Sequence, residues 1–358
     1  MPKSSIKSKV QKIFASAKNT DVILLINTSS PDPNFLYLTG YTSGVFEYDI
    51  LIFNKEGAYH ITSQLEYDTA MLQKHPEIKI VMRNKAGSHR KLLAKLLNGK
   101  RVGINGGFMP VSLLNEVKKR YKMKKVNDVG EALEDARLVK DEIEVHAIKE
   151  AVRITKWAML QIQREFKEGM TERQLAAKFD YISSSLGSTK PSFETIVCFG
   201  KNAALPHHTP DDTKLKDGDF ILIDAGAKSD NYCSDLTRTF IFGKKDAEKE
   251  KVYDTVKEAR IKAIHAIKPG MKGAQIHKVA ADYIDKAHNG IYKGKFIHSL
   301  GHSLGIEVHD GPGFSPGAEQ KLEPGMVITV EPGIYIPGFG GVRIEDDILI
   351  TKDGAIIL

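Results

Sequence analysis

Cysteine is scarce in this chain, and long apolar runs are missing altogether. Of 358 residues only Cys198 and Cys233 are cysteine, with no CxxC spacing. Two such thiols build neither a disulfide framework nor a zinc site of the usual kind, and reduced cysteines fit a reducing compartment. No stretch approaches the roughly 20 apolar residues needed to cross a bilayer. The basic start, MPKSSIKSKVQKIFASAKN, lacks the apolar core of a signal peptide. A cytoplasmic protein with no membrane partner is expected. A strong excess of one charge is also lacking: 52 Lys and Arg against 45 Asp and Glu leave +7, thinly spread. No nucleic-acid partner is therefore expected.

What is present is ordinary globular composition, 41% hydrophobic and 27% charged, in a chain long enough for two domains. In the first third, VILLIN (22–27), FLYLTGY (35–41), YDILIFN (48–54), YHITS (59–63) and IKIVM (78–82) read as strands. HRKLLAKLLNG (89–99) and PVSLLNEVKKRY (110–121) carry leucines at helical spacing. Strands alternating with helices predict an α/β domain over 1–130. A long helical pattern over 141–166 opens the second domain, 131–358. That domain holds a faint repeat: KEGMTERQL (167–175) recurs as KPGMKGAQI (268–276). Each copy follows one amphipathic helix and opens another, with Thr171 and Gln174 forming a capping-box pattern. Strand-rich sequence with a tight hairpin follows both copies, which predicts two related halves.

Four carboxylates lie in strands that should be buried. In FILIDAGAKSDNYCSDLTRTF a turn at Ser229–Asp230 would set Asp224 opposite Asp235. In ITVEPGIYIPGFGGVRIEDDI a turn centred on Gly338 would set Glu331 opposite Glu345. Directly opposed residues share a face with Cβ atoms about 5 Å apart. Like charges that close destabilise a sheet interior unless protons or cations neutralise them. Two carboxylate pairs plus one imidazole, with His302 in GHSLG as the candidate, would bind two divalent cations. Oxygen-dominated ligation favours Mn²⁺, with Co²⁺ or Zn²⁺ as alternatives. The reaction class expected from such a pair of ions is hydrolysis.

At these residues the chain resembles the pita-bread metallopeptidases. LPHHTP, DAGAKSDNYCSDLTRTF, GHSLGIEVHD, EPGMVITVEPGIYIPGFGGVRIEDD and DARLVKDEIEVHAIKEA carry the likeness, and more narrowly they look like Xaa-Pro aminopeptidases and prolidases. The resemblance implies a creatinase-like α/β domain ahead of an α+β catalytic domain with an internal pseudo-twofold repeat. It implies Asp224, Asp235, His302, Glu331 and Glu345 as metal ligands, with Asp235 and Glu345 bridging. Glu331 matches the acid that handles the proton of the attacking water, and His207 the histidine assisting the leaving amine. In register His207 is followed by His208, so the choice between them rests on the motif alone. His309, in the strand-like IEVHD segment, matches a contact to the substrate carbonyl, and His298 a histidine of the proline pocket. Tyr335 and Arg343 match supports of ligands and substrate.

The expected activity is a metallo-aminopeptidase splitting the N-terminal Xaa-Pro bond of peptides with proline in second place. That bond is a tertiary amide whose proline nitrogen carries no N–H. The alternative is a prolidase restricted to dipeptides. Such enzymes commonly show an arginine soon after the second histidine, and none stands between Asp310 and Pro324. A non-catalytic pita-bread module is a third reading, which the full ligand set disfavours. A homodimer is expected from the resemblance.

Overall fold

A computed structural model describes residues 5–358 except Lys85 and Lys245. The chain divides into two compact units, Met1–Arg137 and Leu138–Leu358. Among the described residues no helix is long and apolar enough to cross a membrane.

The first unit runs α1 (Ile6–Ser16), β1 (Val22–Ile26), α2 (Pro33–Thr39), β2 (Ile50–Asn54), β3 (Gly57–Thr62), α3 (Tyr67–Leu72), β4 (Ile78–Met82), α4 (Ser88–Leu97), β5 (Arg101–Ile104), α5 (Val111–Arg120), β6 (Lys125–Asp128) and α6 (Gly130–Leu138). Its strands form one mixed sheet in the order β4-β3-β2-β1-β5-β6. The β1–β5, β5–β6 and β3–β4 pairs are parallel; β1 and β2 pair antiparallel across the connection that holds α2, and a hairpin links β2 to β3. Leu93 and Leu97 of α4 and Val117 of α5 pack on Leu24, Ile26, Ile52 and Val102 of the sheet.

FLYLTGY is not a strand. It lies in α2, where the Asp32 carboxylate caps Asn34 N–H, Pro33 takes the first helical position, and Gly40 closes the helix in a left-handed conformation. The apolar run carries no period of its own, so these flanking signals decide. Helix α1 is likewise absent from the strand-and-helix reading; it buries Ile6, Val10, Ile13 and Phe14 along one face.

The second unit runs α7 (Glu142–Ile162), α8 (Glu172–Ser185), β7 (Ile196–Phe199), β8 (Phe220–Ala225), β9 (Lys228–Ser229), β10 (Tyr232–Cys233), β11 (Leu236–Ile241), α9 (Ala247–Ala266), α10 (Gly273–Lys286), β12 (Val327–Val330), β13 (Gly333–Ile336), β14 (Gly340–Arg343), β15 (Asp346–Ile350) and β16 (Ala355–Ile357). Its sheets are β11-β8-β7, β12-β15-β16, and the two-stranded β9–β10 and β13–β14.

Backbone bonds make the repeat visible. Gly169 N–H donates to Leu215 O and Leu215 N–H to Met170 O; Gly270 and Leu322 do the same with Leu322 O and Met271 O. The N–H groups of Thr171 and Lys272 are each met by a glutamine three residues on, Gln174 and Gln275. Helix pair α7–α8 therefore plays in one half what α9–α10 plays in the other. Strand β8 is buried on both faces: Ile221 and Ile223 pack with Ala158, Ile162 and Phe179. Phe220 and Leu222 pack with Val256, Ala259, Ile334 and Val342 of the other half. Side chains alternate along a strand, so Asp224 shares the face of Phe220 and Leu222 and points toward the second half.

Candidate active site

The two hairpins treat their carboxylates differently. Across β8 and β11, Asp224 pairs with Thr237 rather than Asp235. The turn residues are Asp230 and Asn231, both at positive φ (47° and 72°), one residue later than the expected turn. Asp and Asn tolerate that conformation, and two consecutive left-handed residues make the tight turn that suits strand twist. Asp235 then lies just before β11, two positions ahead of Thr237 and past the end of the ladder with β8. In the second hairpin the expected register holds. Gly333 pairs with Arg343 and Val330 with Asp346, so Glu331 and Glu345 stand opposite each other where the two ladders meet.

The side chains of both hairpins converge. Asp235, His302 and Glu345 offer ligand atoms all within 4.8 Å of one another. His302 Nε2 lies 3.5 Å from Asp235 Oδ2 and 3.7 Å from Glu331 Oε1. Asp224 and Glu345 are joined through shared partners. Arg343 donates from Nη2 to Asp224 (2.7 Å) and from Nε to Thr237 Oγ1 (3.0 Å), and that hydroxyl donates to Glu345 Oε2 (2.7 Å). Arg343 also donates to the Tyr335 hydroxyl at 2.9 Å, which lies 2.8 Å from His298 Nε2. Behind the cluster, Asp347 accepts from Asp235 N–H at 3.0 Å.

Burial makes this arrangement costly when the site holds no cation. Asp224, Asp235, Glu345 and Arg343 are all buried. Burial, followed by Asp224, pushes the Glu345 carboxyl up to about 8. Burial and then Glu345 hold the Asp235 and Glu331 carboxyls well above the usual carboxylate range. Buried atoms Asp224 Oδ1 and Asp235 Oδ1 have no hydrogen-bond partner. His302 Nδ1 lies 3.2 Å from Ser303 O, which sets its proton there and leaves Nε2 as a lone pair facing the carboxylates. Burial, then His309, holds His302 down to about 4, so it does not cancel their charge as a cation. Unpaired oxygens, one aimed imidazole lone pair and mutually repelling acids form a donor set that a divalent cation completes.

The histidines are placed unevenly. His309 is exposed, and its segment is not a strand: the chain bends from Gly305 to His309. Asp310 ties the bend, its carboxylate accepting from Ile306 N–H and its own N–H donating to Ser303 O. The His309 ring comes edge-on to His302, centroids 4.2 Å apart. His298 has Nδ1 2.8 Å from Ser299 O, and burial, with Arg343 next, holds it down to about 4. His207 is exposed, whereas His208 turns inward to Glu172 at 2.7 Å. Thr237, Asp347 and Glu172 escaped the sequence reading. The Asp230–Asn231 turn sets Thr237 opposite Asp224, but nothing local marks its Arg343 and Glu345 partners, and Asp347 and Glu172 carry no motif.

Fold and site together define a hydrolytic metallopeptidase. The chain belongs to Metallopeptidase family M24, whose model matches residues 146–352, and the Creatinase/Prolidase N-terminal domain matches residues 8–139. It thus joins a creatinase-type N-terminal domain to a catalytic domain of the pita-bread fold. It is 36% identical over 352 residues to an Xaa-Pro dipeptidase of Pyrococcus horikoshii, covering 98% of this chain and 96% of the relative. Among solved structures it is similar to an Xaa-Pro dipeptidase from Bacillus anthracis, with TM-score 0.89, 30% identity and coverage of 99% and 97% of the two chains. An X-Pro aminopeptidase from Thermotoga maritima is also similar, with TM-score 0.87, 31% identity and coverage of 94% and 95%.

Proposed function

We propose that this chain is an Xaa-Pro dipeptidase of the prolidase type, removing the residue before proline. The observation that carries it is end-to-end similarity to proteins named Xaa-Pro dipeptidase, together with the convergent carboxylates. This revises the expectation of an aminopeptidase for longer peptides. The second reading keeps one observation in its favour, the lack of arginine between Asp310 and Pro324.

In this reading Asp224, Asp235, His302, Glu331 and Glu345 would hold two divalent ions. The oxygen-rich donor set supports Mn²⁺. When bound, the ions supply Lewis-acid activation of water and of the scissile carbonyl. The protein's own groups do the rest. Glu331, with its carboxyl raised by burial, takes the proton of the attacking water. His309, exposed beside His302, donates to the oxygen on which negative charge develops. The C–N bond then breaks, and His207 gives its proton to the departing proline nitrogen, which lacks one of its own. Tyr335 and Arg343 keep Asp224 in place, and His298 borders the proline ring. The family likeness supports a homodimer, and a cytoplasmic location agrees with two free, buried cysteines.

The test is initial-rate hydrolysis of Ala-Pro, Ala-Pro-Ala and Ala-Ala by Mn²⁺-loaded protein, with and without chelator. The expected result is rapid turnover of Ala-Pro, poor turnover of Ala-Pro-Ala, none of Ala-Ala, and loss of all activity on chelation. Faster cleavage of the tripeptide would establish the aminopeptidase reading. Activity that survives complete removal of metal would refute both.

A further inference from the structure

One buried carboxylate of the catalytic unit lies outside the metal cluster and is saturated with donors. Glu172, the first residue of α8, is completely buried. Its Oε1 accepts from Phe199 N–H (2.7 Å) and Asn202 Nδ2 (2.9 Å). Its Oε2 accepts from His208 Nε2 (2.7 Å) and Asp211 N–H (3.0 Å). All four donors belong to the stretch 199–211, which carries His207. Glu172, His208 and Asp211 are close enough to suggest an ion site. Four N–H donors on one carboxylate leave its oxygens no lone pair to spare for an ion, so the cluster is a clasp.

The clasp is peculiar to this half. By the repeat, Glu172 N–H donates to Thr213 O where Gly273 N–H donates to Gln320 O. Position 273 has no room for a side chain, because a Cβ there would come within 2.4 Å of Phe314. Starting α8 therefore does not require a carboxylate; the half bearing His207 has one and the other half does not. The opposite side of the stretch is held as well. Gly340 and Gly341 let the turn at Gly200–Ala204 seat against β14, where Cβ atoms would meet Gly200 O at 2.7 Å and Ala203 O at 2.3 Å. Arg343 donates to Pro206 O at 3.4 Å. Between these anchors His207 is exposed, and among the described residues no side-chain hydrogen bond fixes it. Its place is set by its neighbours.

We propose that Glu172 is a positioning residue: by drawing His208 inward it presents His207, and not His208, to the departing amine. This rests on the reading of His207 as the leaving-group acid. A buried charge-assisted clasp is stronger than a neutral one, and small misplacements of a proton donor cost turnover heavily.

The experiment is a double-mutant cycle on the Mn²⁺-loaded full chain with Ala-Pro, reading kcat, KM, bound metal and melting temperature. His207→Ala should lower kcat by about 10²-fold or more, the usual range for a general acid. Glu172→Gln puts an amide N–H against two donors and should lower kcat by about 10-fold or more with KM and metal content kept. The double variant should be no slower than His207→Ala alone, since a residue acting through His207 has nothing further to lose. A multiplicative loss, or loss of bound metal in Glu172→Gln, overturns the proposal. Should Glu172→Gln not fold, position 208 decides. His208→Gln keeps a donor where Nε2 was and should retain near-normal kcat, while His208→Leu should fall as far as the clasp variant. Equal deep losses in both, with metal intact, would make His208 the acting imidazole and overturn it. If His207→Ala alone keeps normal kcat, the leaving-group reading itself fails.

Discussion

His302 and His309 are two neighbouring imidazoles that the fold holds very differently. His302 is fixed three ways: its Nδ1 meets Ser303 O, its N–H donates to Thr329 Oγ1, and Nε2 faces the acids. His309 has none of these ties and is exposed at the mouth of the same site. Removing it should therefore leave the ligand set and the core untouched. In His309→Ala we expect bound Mn²⁺ and melting temperature to stay within error while kcat falls about 10²–10³-fold, the usual cost of one oxyanion donor. Metal analysis, thermal melts and steady-state kinetics on one preparation check this. A variant that loses an ion, or keeps its kcat, contradicts the assignment.

At the scale of elements, one ion pair reports on how the first sheet is closed. Asp21, just before β1, accepts from Arg101 N–H (2.8 Å) and from Arg101 Nη2 (2.6 Å) at the start of the parallel neighbour β5. The Arg101 side chain, then its backbone N–H, holds the Asp21 carboxyl down at about 2, below its ordinary 3.8. A depressed carboxyl stabilises the fold above its ordinary value, and the contribution disappears as pH falls toward the folded value. Both side chains are about a third exposed, so solvent screening keeps the effect small. Asp21→Asn should melt below wild type at pH 6, and most of that gap should close by pH 2. A gap of equal size at both ends would show the effect is packing rather than charge.

The strands β2, β3, β4 and β8 and the helices α4, α5 and α7 were legible because period and flanks agreed. Helix α2 was not, since an apolar run of seven residues fits either state and only Asp32, Pro33 and Gly40 decide. The second hairpin's register was legible from a central glycine at Gly338. The first was displaced because Ser229 and Asp230 read as turn formers as readily as Asp230 and Asn231. The partners of the acids, Thr237 and Asp347, were hidden for a deeper reason. Their roles depend on side chains from the other half, and no local pattern encodes a neighbour more than a hundred residues away.

The molecule's second unit is two similar halves, yet neither half owns the acidic cluster. Asp224 and Asp235 come from the β8 and β11 hairpin, and Glu331 and Glu345 from the strands of the other half, 121 positions separating Asp224 from Glu345. The helical hairpins α7–α8 and α9–α10 close over short stretches and can form early, whereas contacts of long sequence separation are slow to establish. Time therefore enters the design: the site should be among the last features to appear when the chain refolds. After dilution from denaturant into Mn²⁺, helical circular dichroism should recover first and Ala-Pro turnover follow after a measurable lag. Recovery of both with one rate constant would mean the halves and their junction form together. If the lag is found, an interval exists in every refolding event when most of the protein is built and nothing can yet be cut.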